Sequence, residues 1–221
     1  MIHIFHTTLS KSLHDSYYDS IIPTFPANIQ NRLGKFRRWE DAQATMLGRQ
    51  LLKYALNLVY NYQLAYDEIS YTKFSKPYLL QNNEIQFNIS HSGLRVLCAI
   101  GKEEIGLDIE KINEKINIVD FRNHMTNFEY QKIASSKNHL KEFYNWWTQK
   151  EAVIKLLGQG LSIPLNSFGI KKFISYVGER KISISTLDID NEYCSSMATY
   201  NTIPKNEIFI HKVKAKKLIA S

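Results

Sequence analysis

The chain has 221 residues, of which 44% are hydrophobic and 22% charged, with a formal net charge of +7 and only two cysteines. This is the composition of a soluble globular protein of one large or two small domains, and it leaves no room for a disulfide framework, a coiled coil, a low-complexity tract or a membrane-length apolar run. The basic balance favours acidic partners, which could be nucleic acid, an anionic membrane, a polyphosphate cofactor or an acidic protein, without choosing among them.

In chain order, Ile2 to Thr8 reads as a strand, and it lacks the basic start and long apolar core of a signal peptide. A polar stretch containing Pro23 and Pro26 follows. Apolar residues recur at helical spacing from Trp39 to Tyr60. Strands are expected at 69–74, 85–89 and 95–100, the last two joined by a turn at Ser92-Gly93. Cys98 falls in the apolar run Val96 to Ile100 and reads as a buried small side chain. The polar break Gly101-Lys102-Glu103-Glu104 is the best boundary. The expected organisation is therefore an N-terminal half, 1–102, and a C-terminal half, 103–221. The second half opens on a strand at 105–110, continues with helices at 126–134 and 140–157, and ends in strands at 168–174, 181–187, 193–200 and 208–213. Each half runs a helix and then several strands, so a duplicated α+β unit is plausible, although no repeat shows in residue identity.

Two segments carry chemistry. Ile105-Gly106-Leu107-Asp108-Ile109-Glu110 alternates, which puts Asp108 and Glu110 on one face of a strand. Trp146-Trp147-Thr148-Gln149-Lys150-Glu151-Ala152-Val153-Ile154-Lys155 is helical. Phe143, Trp146, Val153, Ile154 and Leu157 form its apolar stripe, and Lys150 sits in the middle of that stripe. A cation there needs an anion or a route to water, and a phosphate would serve. If Glu151 joins Asp108 and Glu110, three hard oxygen ligands converge, the donor set for Mg²⁺ bound to a substrate phosphate. The plainer alternatives are a solvated strand face and an amphipathic helix with an i,i+4 Glu151–Lys155 pair worth about 0.2–0.5 kcal/mol.

These residues carry a resemblance. Ile-Gly-Leu-Asp-Ile-Glu followed by Trp-Trp-Thr-Gln-Lys-Glu-Ala resembles the paired signature of the 4′-phosphopantetheinyl transferases of the surfactin-synthetase type. Phe74-Ser75-Lys76-Pro77, Phe87-Asn88-Ile89-Ser90-His91-Ser92 and Gly160-Leu161-Ser162-Ile163-Pro164-Leu165 resemble further segments of that family, in its order. The resemblance implies an α+β, pseudo-duplicated, two-subdomain fold with coenzyme A between the halves. It implies Mg²⁺-dependent transfer of the phosphopantetheine arm of coenzyme A to a serine of an apo acyl or peptidyl carrier protein, with adenosine 3′,5′-bisphosphate leaving.

The resemblance also implies roles for residues. Asp108, Glu110 and Glu151 would hold the metal. Glu151, Lys150 and Lys155 would be catalytic, with both lysines on phosphate oxygens and Glu151 as general base. Arg32, Lys35, Lys76, Ser90 and His91 would bind coenzyme A, the last three at its 3′-phosphate. Glu129 matches an acidic position that holds a lysine or the pantetheine arm. Lys111 to Met125 would border the docking surface of an acidic carrier. The chain departs from several relatives at Ala44, where they carry an arginine, so either a cofactor contact is missing or Arg49 or Lys53 substitutes from the same helix. Few cysteines and no leader suggest a reducing, cytoplasmic setting; a monomer with neither nucleic-acid nor membrane partners is expected. A Mg²⁺-dependent phosphodiesterase or nuclease would also want clustered carboxylates and lysines and remains the alternative. A non-enzymatic nucleic-acid-binding protein would explain the charge but not Lys150 or the three acids.

Overall fold

The computed structural model describes residues 1–219. Backbone contacts divide it into two units, one of Met1–Tyr71, Pro77–Lys102 and the chain from Asn206, the other of Thr72–Lys76 and Glu103–Lys205.

In the first unit, β1 (Ile2–Thr8) leads to α1 (Lys11–Ile21), α2 (Ala27–Leu33) and the long α3 (Trp39–Tyr60). Then come β2 (Ile69–Tyr71), β3 (Pro77–Leu79), β4 (Gln86–Ser92) and β5 (Arg95–Gly101). α3 forms over the expected residues. Glu40 and Asp41 complement its positive end, and Asn61, at φ 52°, closes it in the left-handed conformation. Leu47, Leu51, Leu52, Ala55 and Leu56 lie fully buried on α3 and pack in one core with Phe5, Val96, Cys98 and Ile100 of the sheet. Each large aliphatic side chain buried this way contributes about 1.5–3 kcal/mol. β4 and β5 are joined by two residues, with Ser92 opposite Arg95 and Gly93 at φ 52°, a turn that asks for glycine at its first central position.

In the second unit, β6 (Ile105–Lys111) is followed by α4 (Asn127–Ser135) and α5 (His139–Leu157). The chain then runs through β7 (Ile170–Lys171), β8 (Ile174–Val177), β9 (Arg180–Thr186) and β10 (Tyr193–Thr199) into a sheet of order β6-β10-β9-β8-β7. All its neighbouring strands run antiparallel. Each unit is thus a long helix on a mainly antiparallel sheet, the α+β pattern read from the sequence.

The structure corrects several boundaries. The chain does not stay in the second unit to its end. β11 (Ile208–Lys212) and α6 (Ala215–Ile219) belong to the first, where β11 pairs in parallel with β1 in the order β11-β1-β5-β4. Thr72–Lys76, by contrast, belongs to the second unit. The polar stretch after β1 is helical in α1 and α2, which a pattern search passes over because neither has an acidic first turn, although Ser10 stands at the N-cap of α1. The expected strand at 168–174 is a hairpin, β7 and β8, turned at Lys172 and Phe173, both at positive φ. No helix among the described residues is long and apolar enough to cross a membrane.

Candidate active site

The candidate site is built where α5 lies on β6. Gly106 makes that approach possible: a Cβ there would stand 1.9 Å from the carbonyl oxygen of Ala152 and 2.4 Å from the amide nitrogen of Leu156. Asp108 and Glu110 follow Gly106 at two-residue steps and so share the face that carries α5. Asn138 starts the helix by accepting from the Lys141 amide at 3.0 Å, and Gly158, at φ 65°, ends it.

Asp108 is 3% exposed, and its Oδ1 accepts from Lys155 Nζ at 2.6 Å. Behind it, the opposite residue on β10, Ser196, lies 3.0 Å hydroxyl to hydroxyl from Thr148 of α5. Glu151 is half-buried beside this ion pair. Burial raises its carboxyl pKa above the usual range, the Asp108 charge raises it further, and Lys155 opposes both. The structure therefore brings Asp108, Glu151 and Lys155 together. Glu110 is on their face, and its charge is felt at Tyr144. Among the described residues, no group of three His, Cys, Asp or Glu side chains converges as a metal centre. The donors nonetheless suit a hard cation: two mutually repelling carboxylates are stabilised by a divalent ion between them.

Lys150 requires a correction. It does not face a phosphate. It is fully buried, with Nζ 2.9 Å from Glu129 Oε2, itself fully buried, and donating to the carbonyl oxygens of Leu165 and Phe168 at 2.8 Å each. Three partners use up the three N–H donors of an ammonium. Glu129 is held in turn by the Thr126 amide in a capping box and by the Ile170 amide. Burial lowers the Lys150 pKa, and Glu129 opposes the shift.

Lys76 is also engaged. Its Nζ donates to the Leu156 carbonyl at 2.7 Å and lies 3.5 Å from Glu104 Oε2, so it caps the negative end of α5. Its pKa is lowered by burial, against Glu104. In the first unit, Ser90 and His91 are neighbours on β4 facing opposite ways, one buried and one exposed. Arg32 and Lys35 are exposed in and just after α2. Ala44 is buried; Arg49 donates to the Thr45 carbonyl and the Tyr71 hydroxyl, and Lys53 lies over the Tyr66 ring. Of the expected docking segment, Met125 is buried against Phe143 and Ile133, whereas Val119 is exposed. Trp147 belongs to an aromatic cluster with Phe121 and Phe143. The sequence reading missed Glu104 and the Thr148–Ser196 hydroxyl pair. The signal for the latter was a threonine on a buried helix face, opposite a strand of serines.

Comparison with known proteins follows the same division. A family model described as 4′-phosphopantetheinyl transferase, N-terminal, matches residues 14–103, and one described as 4′-phosphopantetheinyl transferase superfamily matches residues 104–199. A 4′-phosphopantetheinyl transferase of Bacillus subtilis is 30% identical over 200 residues, covering 86% of this chain and 88% of that protein. The 4′-phosphopantetheinyl transferase Sfp of Bacillus subtilis (strain 168) is 34% identical over 139 residues, 62% of each chain. The 4′-phosphopantetheinyl transferase gsp of Aneurinibacillus migulanus is 35% identical over 136 residues, 60% of this chain and 56% of that protein. With its two α+β units matched in turn and a relative aligned over most of its length, the chain belongs to the 4′-phosphopantetheinyl transferases.

Proposed function

We propose that this enzyme moves the 4′-phosphopantetheine arm of coenzyme A onto a serine of an apo carrier protein, with Mg²⁺ as its cation, and releases adenosine 3′,5′-bisphosphate. The observation that carries the reading is the buried Asp108–Lys155 pair with Glu151 beside it, in a chain of this family. In the reaction, the serine oxygen attacks the phosphorus bearing the pantetheine arm. A new P–O bond forms, and the bond to the bisphosphate breaks. Glu151 takes the serine proton on its carboxylate. Burial and the Asp108 charge raise its pKa, and a cation bound to it would lower its basicity again. Lys155, one-third exposed, reaches from Asp108 to phosphate oxygens and stabilises the leaving phosphate. Mg²⁺ held by Asp108, Glu151 and Glu110 would neutralise the pyrophosphate when bound. Arg32, Lys35, Ser90 and His91 are assigned to the phosphates and adenosine end of coenzyme A. The two buried, unbridged cysteines suit a reducing compartment, and we place the enzyme in the cytoplasm.

The test is to incubate the protein with coenzyme A, Mg²⁺ and an apo carrier protein and to weigh the carrier. A gain of one phosphopantetheine arm is expected from wild type and none from Asp108→Ala, with the circular dichroism spectrum unchanged. Near-normal transfer by Asp108→Ala would remove that residue from the site. No gain with any carrier, together with cleavage of phosphodiester substrates, would replace the proposal by the hydrolytic reading.

A further inference from the structure

Thr148 of α5 and Ser196 of β10 are both fully buried, and their hydroxyl oxygens lie 3.0 Å apart. Thr148 Oγ1 also lies 3.3 Å from the carbonyl oxygen of Asn145, which can only accept. A threonine hydroxyl carries one hydrogen, so Thr148 donates to Asn145 and accepts from Ser196. Neither residue is assigned above to the cation, the phosphates or the carrier serine.

On α5, Thr148, Glu151 and Lys155 follow one another at steps of three and four residues, so their side chains fall within a stripe of about 60°. On the sheet, Ser196 is the cross-strand partner of Asp108. Directly opposed residues of an antiparallel pair point to the same face, with Cβ atoms about 4.5–5.5 Å apart. The Thr148–Ser196 hydrogen bond therefore runs from the neighbour of Asp108 to the residue one helical turn before Glu151. Gly106 lets α5 approach β6 closely, but it contributes no side chain that could hold the helix against sliding along its axis. The Lys155–Asp108 ion pair does hold it, at 2.6 Å, yet both members have work in the reaction, one on phosphate oxygens and the other on the cation. The hydroxyl pair is directional, shielded from water and made of groups that do not react.

We propose that Thr148 is a positioning residue for the transfer, a role that rests on those given above to Asp108 and Glu151. Through Ser196 it fixes the register of α5 on the β6–β10 pair, and with it the place of Glu151 relative to Asp108. This tether persists while Lys155 exchanges Asp108 for phosphate.

The test measures steady-state transfer from coenzyme A to an apo carrier protein with Mg²⁺, alongside melting temperatures. The variants are Thr148→Val, Thr148→Ser, Ser196→Ala and Thr148→Val/Ser196→Ala. Thr148→Val keeps the side chain's size and loses its hydroxyl. Its kcat should fall at least about tenfold, since a displacement of about 1 Å at reacting groups costs up to roughly a hundredfold. KM for coenzyme A and for the carrier should stay near wild type, because the groups that bind them are intact. Thr148→Ser keeps the hydroxyl and deletes a buried methyl, so it should melt below wild type and still hold kcat within about twofold. Ser196→Ala should lower kcat too, and adding it to Thr148→Val should cost nothing more, the hydrogen bond being already lost. If kcat follows the melting temperature through the set, with Thr148→Ser as impaired as Thr148→Val, the pair is a packing contact and the proposal is overturned. Should Thr148→Val not fold, Ser196→Ala decides, and a wild-type kcat there overturns it equally. Asp108→Ala is assayed in parallel. Wild-type kcat in Thr148→Val beside an inactive Asp108→Ala overturns the positioning role alone. Normal transfer by Asp108→Ala, or none by wild type, overturns the assigned site and the positioning role together.

Discussion

A lysine set among apolar neighbours must find an anion, and Lys150 finds one within its own unit. Its partner Glu129 also caps α4 and accepts from the start of β7, so one carboxylate joins α4, α5 and the β7–β8 hairpin. Sequence periodicity correctly showed that Lys150 was out of place, but it could not show that the anion lay 21 residues upstream rather than on a ligand. Breaking such a pair from one side strands a buried charge. Lys150→Met should therefore lower the unfolding free energy by about 3–5 kcal/mol in a urea titration, and Lys150→Met/Glu129→Gln should cost less than the two single changes summed. Lys150→Met with wild-type stability and a raised KM for coenzyme A would return the residue to the phosphate.

At the scale of elements, β6 and α5 were legible because their periods differ so plainly: alternation around Asp108, and a 3.6-residue stripe around Val153. Their closeness was not, since it depends on Gly106 lacking a side chain. α1 and α2 escaped because neither has an acidic first turn, and β11 was found as a strand but given to the wrong half. That strand pairs with β1 through a ladder that places His3 Nδ1 3.1 Å from His211 Nε2, a contact needing one donor and one acceptor nitrogen. Burial, and then the charges of His211 and the N-terminus, hold the His3 pKa below its ordinary 6.5. His14 is lowered too, by burial first and by Lys11. A lowered histidine binds its proton more readily in the unfolded chain. The stability contributed by the neutral forms is thus complete above the unfolded value and is lost as pH falls through it toward the folded value. Unfolding free energy should drop between pH 7.5 and pH 5.5. His3→Phe, which keeps the stacking with Phe5 and Phe209, should flatten part of that slope. An unaltered slope would show that His3 does not contribute to it.

Over the whole molecule, the net charge of +7 bears on the partner. If the carrier is acidic, screening should raise its apparent KM as salt increases from low ionic strength past physiological values, where the Debye length falls to about 8 Å. The KM for coenzyme A should change less. A carrier KM indifferent to salt would argue for an apolar docking face, for which Val119, exposed on the short 3₁₀ helix Ile118–His124 after β6, is a candidate.

The parallel pairing of β1 with β11 also sets an order of events during synthesis. The second unit is almost contiguous in sequence and can fold as soon as Lys205 clears the ribosome, apart from the Thr72–Lys76 segment already made. The first unit cannot. Its strand β1 emerges before the second unit and waits until that unit has been made before β11 covers its free edge and Val213 and Leu218 reach their core. At elongation rates of about 5–20 residues per second, that edge stays open for roughly ten seconds or more. A nascent chain of this enzyme therefore presents an unfinished sheet to chaperones and to neighbouring nascent chains, and codon changes that slow translation after the second unit prolong the exposure.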